Sequence, residues 1–228
     1  MHLSIGKKKK IYIYFIIFFL FTTISNLQVY NSNLFKFSLK DIKVSGLSEK
    51  NNLSIIEELK KIQAKNIFFI QKDILTKILY QNNLVNSFEI KKIFPNTIEI
   101  KIKKTKFLGI TNVDGNFYFI GSNGKLINYD ESTKNLPYVF GKINTFSFIE
   151  FINIIKQSSV DIKNIKEIYF FPSGRWDIKT KENKLFKLPN KNILSVLNTI
   201  NKLNNSKEFA KASIVDLRFN EKIIFTNE

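Results

Sequence analysis

Apolar and polar positions fall into three regimes along the chain. From Ile11 to Phe35 runs a stretch of 25 residues without a charge, densest in aromatic and aliphatic side chains between Ile11 and Phe21. As a helix it would reach about 37 Å, longer than the roughly 30 Å hydrocarbon core of a bilayer. Beyond it the pattern shortens. "FSLKDIKVSG" sets Ile42 and Val44 against Asp41 and Lys43 as in a strand, with Gly46 ending it. In "LSIIEELKKIQA" the period becomes helical, with Ile55, Ile56, Leu59 and Ile62 on one stripe. "IQKDILTKILYQNN" repeats that period with Ile74, Leu75, Ile78 and Leu79. "VNSFEIKKIFPNTIEIKIKK" then alternates again, as two strands turning at Pro95-Asn96, with Ile98, Ile100 and Ile102 facing a core. The predicted order over residues 38–106 is β-α-α-β-β.

The third regime, residues 107–228, is richer in strands. Asp114-Gly115 and Asn123-Gly124 are strong short hairpin signals and predict a meander of three short strands. Phe148, Phe151, Ile152 and Ile155 make a helical stripe, and Ile193, Val196, Leu197, Ile200 and Leu203 make another. Between them "IKEIYFF", "RWDIKT" and "LFKLP" read as strands separated by turns at Pro172-Ser173-Gly174 and Glu182-Asn183. The closing segment, residues 213–226, reads as one terminal strand. The expected class is α+β, with two helices packed on a mainly antiparallel sheet in this last region.

Charge turns the first stretch into an address. Lys7 to Lys10 precede it, and Tyr12, Tyr14 and Tyr30 lie near its ends, where amphipathic rings favour the membrane interface. The expectation is a cytoplasmic tail at 1–10, a transmembrane helix at 11–31, and the remainder across the membrane. A cleaved signal peptide is the competing reading, with Thr23-Ile24-Ser25 as a poor cleavage site. Either way the folded part lies outside the cytoplasm, which argues against nucleic acid as a partner.

Composition removes several chemistries. There is no cysteine and the only histidine is His2, so thiolate metal sites, His-based triads and His/Cys zinc sites are excluded. No Gly-rich phosphate loop appears. A Ser–Lys or paired-carboxylate enzyme stays open, but nothing clusters to suggest one, and no catalytic residue, metal, cofactor or small-molecule substrate is expected. Net charge is +17, of which Lys7 to Lys10 supply four and the rest of the chain +13. Such a field favours anionic lipid or acidic partners, although a bias toward lysine codons would produce it too.

The chain has two arginines, Arg175 in "GRWDI" and Arg218 in "VDLRF", among 36 basic residues. In a strand Arg175 and Asp177 share a face, as do Asp216 and Arg218. A guanidinium makes a planar two-pronged bond to carboxylate that an ammonium cannot copy. Each arginine is therefore expected in an ion pair with an aspartate on its own or a neighbouring strand, while Trp176 points to the core.

These segments carry a family resemblance. "VSG", "NIFFIQKD", "NNLV" and "KIFPNTIEIKI" resemble the elements of a POTRA domain. The last is similar to the strand–Pro–Asn/Thr–strand signature of the bacterial cell-division family FtsQ/DivIB. That family's Glu-Arg-x-Pro run is missing, since "KKTKFLGI" holds neither Arg nor Pro. Further on, "DGNFYFIGSNGKLI" resembles the family's D-x-x-G segment and "NLPYVFGK" its Leu-Pro…Gly segment. "RWDIKTKENKLFKLP" and "VDLRFNEKIIF" are similar to the alphaproteobacterial type.

The resemblance implies a non-catalytic, single-pass protein of the inner membrane at the division septum, scaffolding FtsB- and FtsL-like bitopic partners and other divisome proteins. It also implies partner-binding positions at Arg218, Phe219, Lys222, Ile223, Ile224 and Phe225. Physics supplies a means. A terminal strand leaves unpaired backbone groups at a sheet edge, and a partner segment can add there. Alternate residues of that strand would then meet the partner. Two other classes stand beside this one: a POTRA-bearing component of envelope assembly or secretion, and a periplasmic enzyme released by signal cleavage.

Overall fold

The computed structural model describes residues 7–22, 37–63, 65–130, 135–203, 206–219 and 222–227. Helix α1, Lys7–Thr22, is 16 residues long and carries the densest apolar run. Among the described residues no helix is long and apolar enough to cross a membrane. Residues 23–31 of the expected span, and 1–6 of the expected tail, lie outside the described residues.

A first module follows: β1 (Asp41–Ser45), α2 (Glu49–Lys60), a 3-10 turn (Ile67–Phe69), α3 (Lys72–Gln81), β2 (Val85–Ile93) and β3 (Thr97–Lys104). The strands lie in the order β1-β3-β2, with β1 parallel and β2 antiparallel to β3. Alternation in β3 buries Ile98, Ile100 and Ile102 against Ile55 and Leu59 of α2 and Leu75 and Leu79 of α3. One predicted core position fails: Ile74 is exposed, because it falls in the first turn of α3 and off the stripe that Leu75 and Leu79 define. Gly46, at φ 109°, permits the close approach of β1 to β3; a Cβ there would sit 1.8 Å from the carbonyl oxygen of Ile102.

The second sheet has nine strands. They are β4 (Phe107–Val113), β5 (Asn116–Gly121), β6 (Leu126–Asn128), β7 (Tyr138–Phe140), β8 (Ile165–Phe170), β9 (Trp176–Thr180), β10 (Leu185–Lys187), β11 (Ile214–Asp216) and β12 (Ile224–Thr226). Across the sheet they run β12-β11-β10-β9-β8-β7-β4-β5-β6. Pairing is antiparallel except for β4–β7, β7–β8 and β10–β11, where helical or looped crossovers return the chain in the same direction. Asp114 and Gly115, both at positive φ, close the β4–β5 hairpin as that turn type requires.

Helices α4 (Thr145–Gln157) and α5 (Ile193–Leu203) cover one face of this sheet. Asn144 starts α4 by accepting hydrogen bonds from the amides of Phe146 and Ser147. The predicted stripe of α4 is fully buried, and with Leu197 and Ile200 of α5 it packs on Ile168, Trp176, Ile178, Phe186 and Val215. A third, short helix was not foreseen. It is α6 (Lys207–Lys211), capped by Ser206, and it drops Phe209 into the same core.

The two modules are clasped by polar side chains. Asn123 Nδ2 donates to the carbonyl oxygens of Asn83 and Val85, each at 2.9 Å, while Asn83 Nδ2 donates to that of Leu126 at 2.8 Å. The hydroxyls of Thr105 and Ser122 pair at 3.1 Å, and Lys125 Nζ reaches the carbonyl oxygen of Tyr80. Asn123, predicted only as a turn residue, thus ties the β5–β6 loop to the entry of β2 in the first module.

Candidate functional site

The closing segment is not one strand but two. β11 and β12 pair antiparallel, so the chain reverses between Asp216 and Ile224 although Leu217 to Ile223 contains neither Gly nor Pro. β11 is therefore enclosed between β10 and β12, and among the described residues β12 is the outermost strand at this end of the sheet. At the opposite end of the sheet, β6 is held by Asn83 through the carbonyl of Leu126.

This reversal redistributes the predicted contact residues. Arg218, Phe219, Lys222 and Ile223 sit in the connection, and Ile224 and Phe225 in β12. Phe225 faces inward: it pairs with Val215, meets Phe209 edge-on at 6.5 Å between ring centroids, and with Ile223 packs on the helix-side core. Ile224 faces the other way and is 39% exposed; Phe219 is 46% exposed. Arg218 and Lys222 place their charges 5.9 and 5.6 Å from the centroid of the Phe219 ring, leaving an open aromatic flanked by two cations.

On the sheet face away from the helices, register aligns Asp177 of β9, Lys187 of β10, Asp216 of β11 and Ile224 of β12 in one row. Arg175 forks onto Asp177, Nε to Oδ1 at 3.1 Å and Nη2 to Oδ2 at 3.3 Å. Its guanidinium carbon stacks 4.1 Å from the Phe171 ring centroid. The Leu188 amide also donates to Asp177 Oδ1 at 3.3 Å. Further along the row Arg218 forks onto Asp216: Nε donates to both oxygens at 2.8 and 3.0 Å, Nη2 to Oδ2 at 2.5 Å, and the backbone amide adds a fourth bond at 3.1 Å. Arg175 and Arg218 both lie just beyond their strands and reach back, which a strict two-residue alternation does not describe. Lys187, between the two carboxylates, escaped sequence reasoning because its neighbour β11 is distant along the chain.

The two aspartates respond oppositely to their surroundings. Hydrogen bonds from Arg218 outweigh burial and hold Asp216 below the usual carboxylate range. At Asp177 burial outweighs Arg175, and the carboxyl is pushed up. Asp216 therefore adds stability above the ordinary carboxylate range and loses it as the pH falls through its folded value. Asp177 has the reverse sign, since its stabilising share declines as the pH rises through its folded value. An Asp216→Asn variant should melt below the unsubstituted protein at about pH 7, and the gap should close toward about pH 2–3. A gap of equal size at both values, by calorimetry, would remove the ion pair as its source.

Among the described residues no group of His, Cys, Asp or Glu could hold a metal ion. A β-α-α-β-β module clasped to a mixed sheet defines a POTRA-bearing protein. The comparisons make that specific. The family model for the FtsQ-type POTRA domain matches residues 37–104, and that for the C-terminal part of the cell division protein FtsQ/DivIB matches residues 109–218. The chain belongs to the FtsQ/DivIB family of non-catalytic cell-division proteins.

Cell division protein FtsQ of Rhizobium meliloti is 20% identical over 190 residues, covering 82% of this chain and 62% of that protein. FtsQ of Rickettsia prowazekii is 23% identical over 190 residues, covering 82% of this chain and 71% of its own. The chain thus spans less than two thirds of the Rhizobium relative. A solved structure, the major extracytoplasmic domain of DivIB from Geobacillus stearothermophilus in its trans isomer, matches 46% of this chain and 99% of its own. It does so at 12% identity and a TM-score of 0.33.

Proposed function

We propose that this protein is a single-pass inner-membrane scaffold of the division septum, with a cytoplasmic N-terminus and its two modules in the periplasm. Residues 11–31 cross the membrane, and the second module captures FtsB- and FtsL-like partners by strand addition at β12. The observation that carries this reading is the position of β12, outermost in a nine-stranded sheet, with Ile224 and Phe219 exposed beside it. Backbone pairing gives such an edge its affinity, and the side chains alongside select the partner. Arg218, Phe219, Lys222 and Ile224 form the contact surface, and the two cations favour a partner segment bearing carboxylates. Ile223 and Phe225 hold the strand in place from beneath. The Asp177–Lys187–Asp216 row, braced by two arginines, keeps β9, β10 and β11 in register behind the edge.

A fluorescent fusion of the full chain in its own cells is expected to gather in a band at midcell during constriction. A signal spread evenly around the envelope would instead favour a role in envelope assembly.

A further inference from the structure

We propose that the tip of the first module carrying Phe68, Phe69 and Phe94 is a lipid-contact face that seats on a bilayer surface bearing anionic headgroups. Phe69 is 82% exposed, Phe68 54% and Phe94 52%, and Ile93 is exposed beside them. These rings form a patch: Phe68 stacks on Phe94 at 4.7 Å and meets Phe37 edge-on at 4.9 Å. The backbone beneath them is pinned. Ile67 is buried as a peg, the Asn66 side chain accepts from the Phe68 amide, and the Ile67 amide donates to the Phe37 carbonyl at 2.7 Å. Lys92 Nζ holds the Ile70 carbonyl at 2.8 Å. A turn built this firmly to display two phenylalanines to solvent calls for something apolar to receive them.

Charge and tether both select a membrane as the occupant. Exposed Lys65 and Lys72 flank the turn along the chain, half-buried Lys92 bonds to it at Ile70, and exposed Lys40 is bonded through its backbone to Asn96 near Phe94, against the carboxylates of Asp41 and Asp73. Aromatic wedges ringed by lysine suit the boundary between acyl chains and anionic headgroups. Phe37, itself part of the patch, lies where the chain arrives from the apolar N-terminal stretch. With a span ending at residue 31, residues 32–36 can reach at most about 18 Å when extended. The tip is thus held close to the bilayer it would meet. This inference rests on the reading that residues 11–31 are anchored in a membrane.

The chain's lack of cysteine makes the test clean. Phe69→Cys carries an environment-sensitive fluorophore on the full chain, reconstituted in vesicles of phosphatidylcholine and phosphatidylglycerol containing doxyl-labelled lipid. Phe117→Cys, at an exposed phenylalanine of the second sheet, is the control. Quenching at 69 should exceed that at 117 by about twofold or more, and fall when anionic lipid is omitted. Lys65→Glu with Lys72→Glu should reduce it similarly.

Equal quenching at both positions in a chain that resists alkaline extraction would overturn the lipid face and leave the anchor standing. A label at 69 that shifts to the blue without quenching reports a protein contact and overturns it likewise. A chain that washes off the vesicles at alkaline pH removes both the anchor and the inference.

Discussion

Lysine in place of Ile224 should weaken capture of a strand-forming fragment of an FtsB-like partner by about tenfold or more, a loss of about 1.4 kcal/mol. The substitution separates the edge from the fold. Ile224 pairs with Asp216 across the β11–β12 hairpin, so a lysine there gains a cross-strand carboxylate and leaves the hairpin intact. Outward, the same ammonium would have to give up water for an incoming strand, the device by which natural sheets protect their edges. Calorimetric titration of the fragment is the measurement, with the melting temperature expected to hold. Affinity at or above that of the unsubstituted chain, in a variant that melts normally, would mean the partner does not dock along β12.

The largest effect on stability is expected at Trp176. It lies at the first position of β9, almost fully buried, and its ring stacks on Phe151 at 4.6 Å and an interplanar angle of 7°. Phe170 at 4.5 Å and Phe148 at 6.2 Å enclose it further. Trp176→Ala leaves a cavity among rings fixed on two different elements, α4 and β8, which can collapse only in part. The expected loss is about 3–5 kcal/mol, a large share of the roughly 5–15 kcal/mol that holds a typical domain together. Urea unfolding followed by far-ultraviolet circular dichroism would measure it. A loss below about 1 kcal/mol would show that the site refills and that this cluster is not the keystone of the sheet. Asp177 follows Trp176 on the opposite face of β9, so disorder at the ring would also loosen the ion-paired row behind the binding edge.

Local signals made much of this fold legible. Alternation in β3 placed Ile98, Ile100 and Ile102 in the core, and helical spacing placed Phe148, Phe151, Ile152 and Ile155 in theirs, because each pattern is complete within one element. What sequence could not supply was registration between distant elements. Lys187 and Asp216 become neighbours only because β10 and β11 run in parallel, with α5 and α6 between them in the chain. The reversal after Asp216 went unseen because that loop holds neither Gly nor Pro. "NIFF" was legible only as part of the link between two helices; that the 3-10 turn buries Ile67 and turns Phe68 and Phe69 outward was not. The arginines were informative for the opposite reason. Their partners lie two residues away, so the chemistry of the fork was written locally even where strand geometry was not followed.

The Asn123 clasp has a consequence for partner choice. Bonds from one carboxamide to the carbonyls of Asn83 and Val85, at the entry to β2, resist swivelling in a way that a single contact would not. On the proposed reading, with residues 11–31 in the membrane, this clasp would keep β12 at one height relative to the first module. A partner whose pairing segment emerges at that height would then engage the edge, and one with a shorter or longer stalk would be turned away by geometry before any side chain is compared.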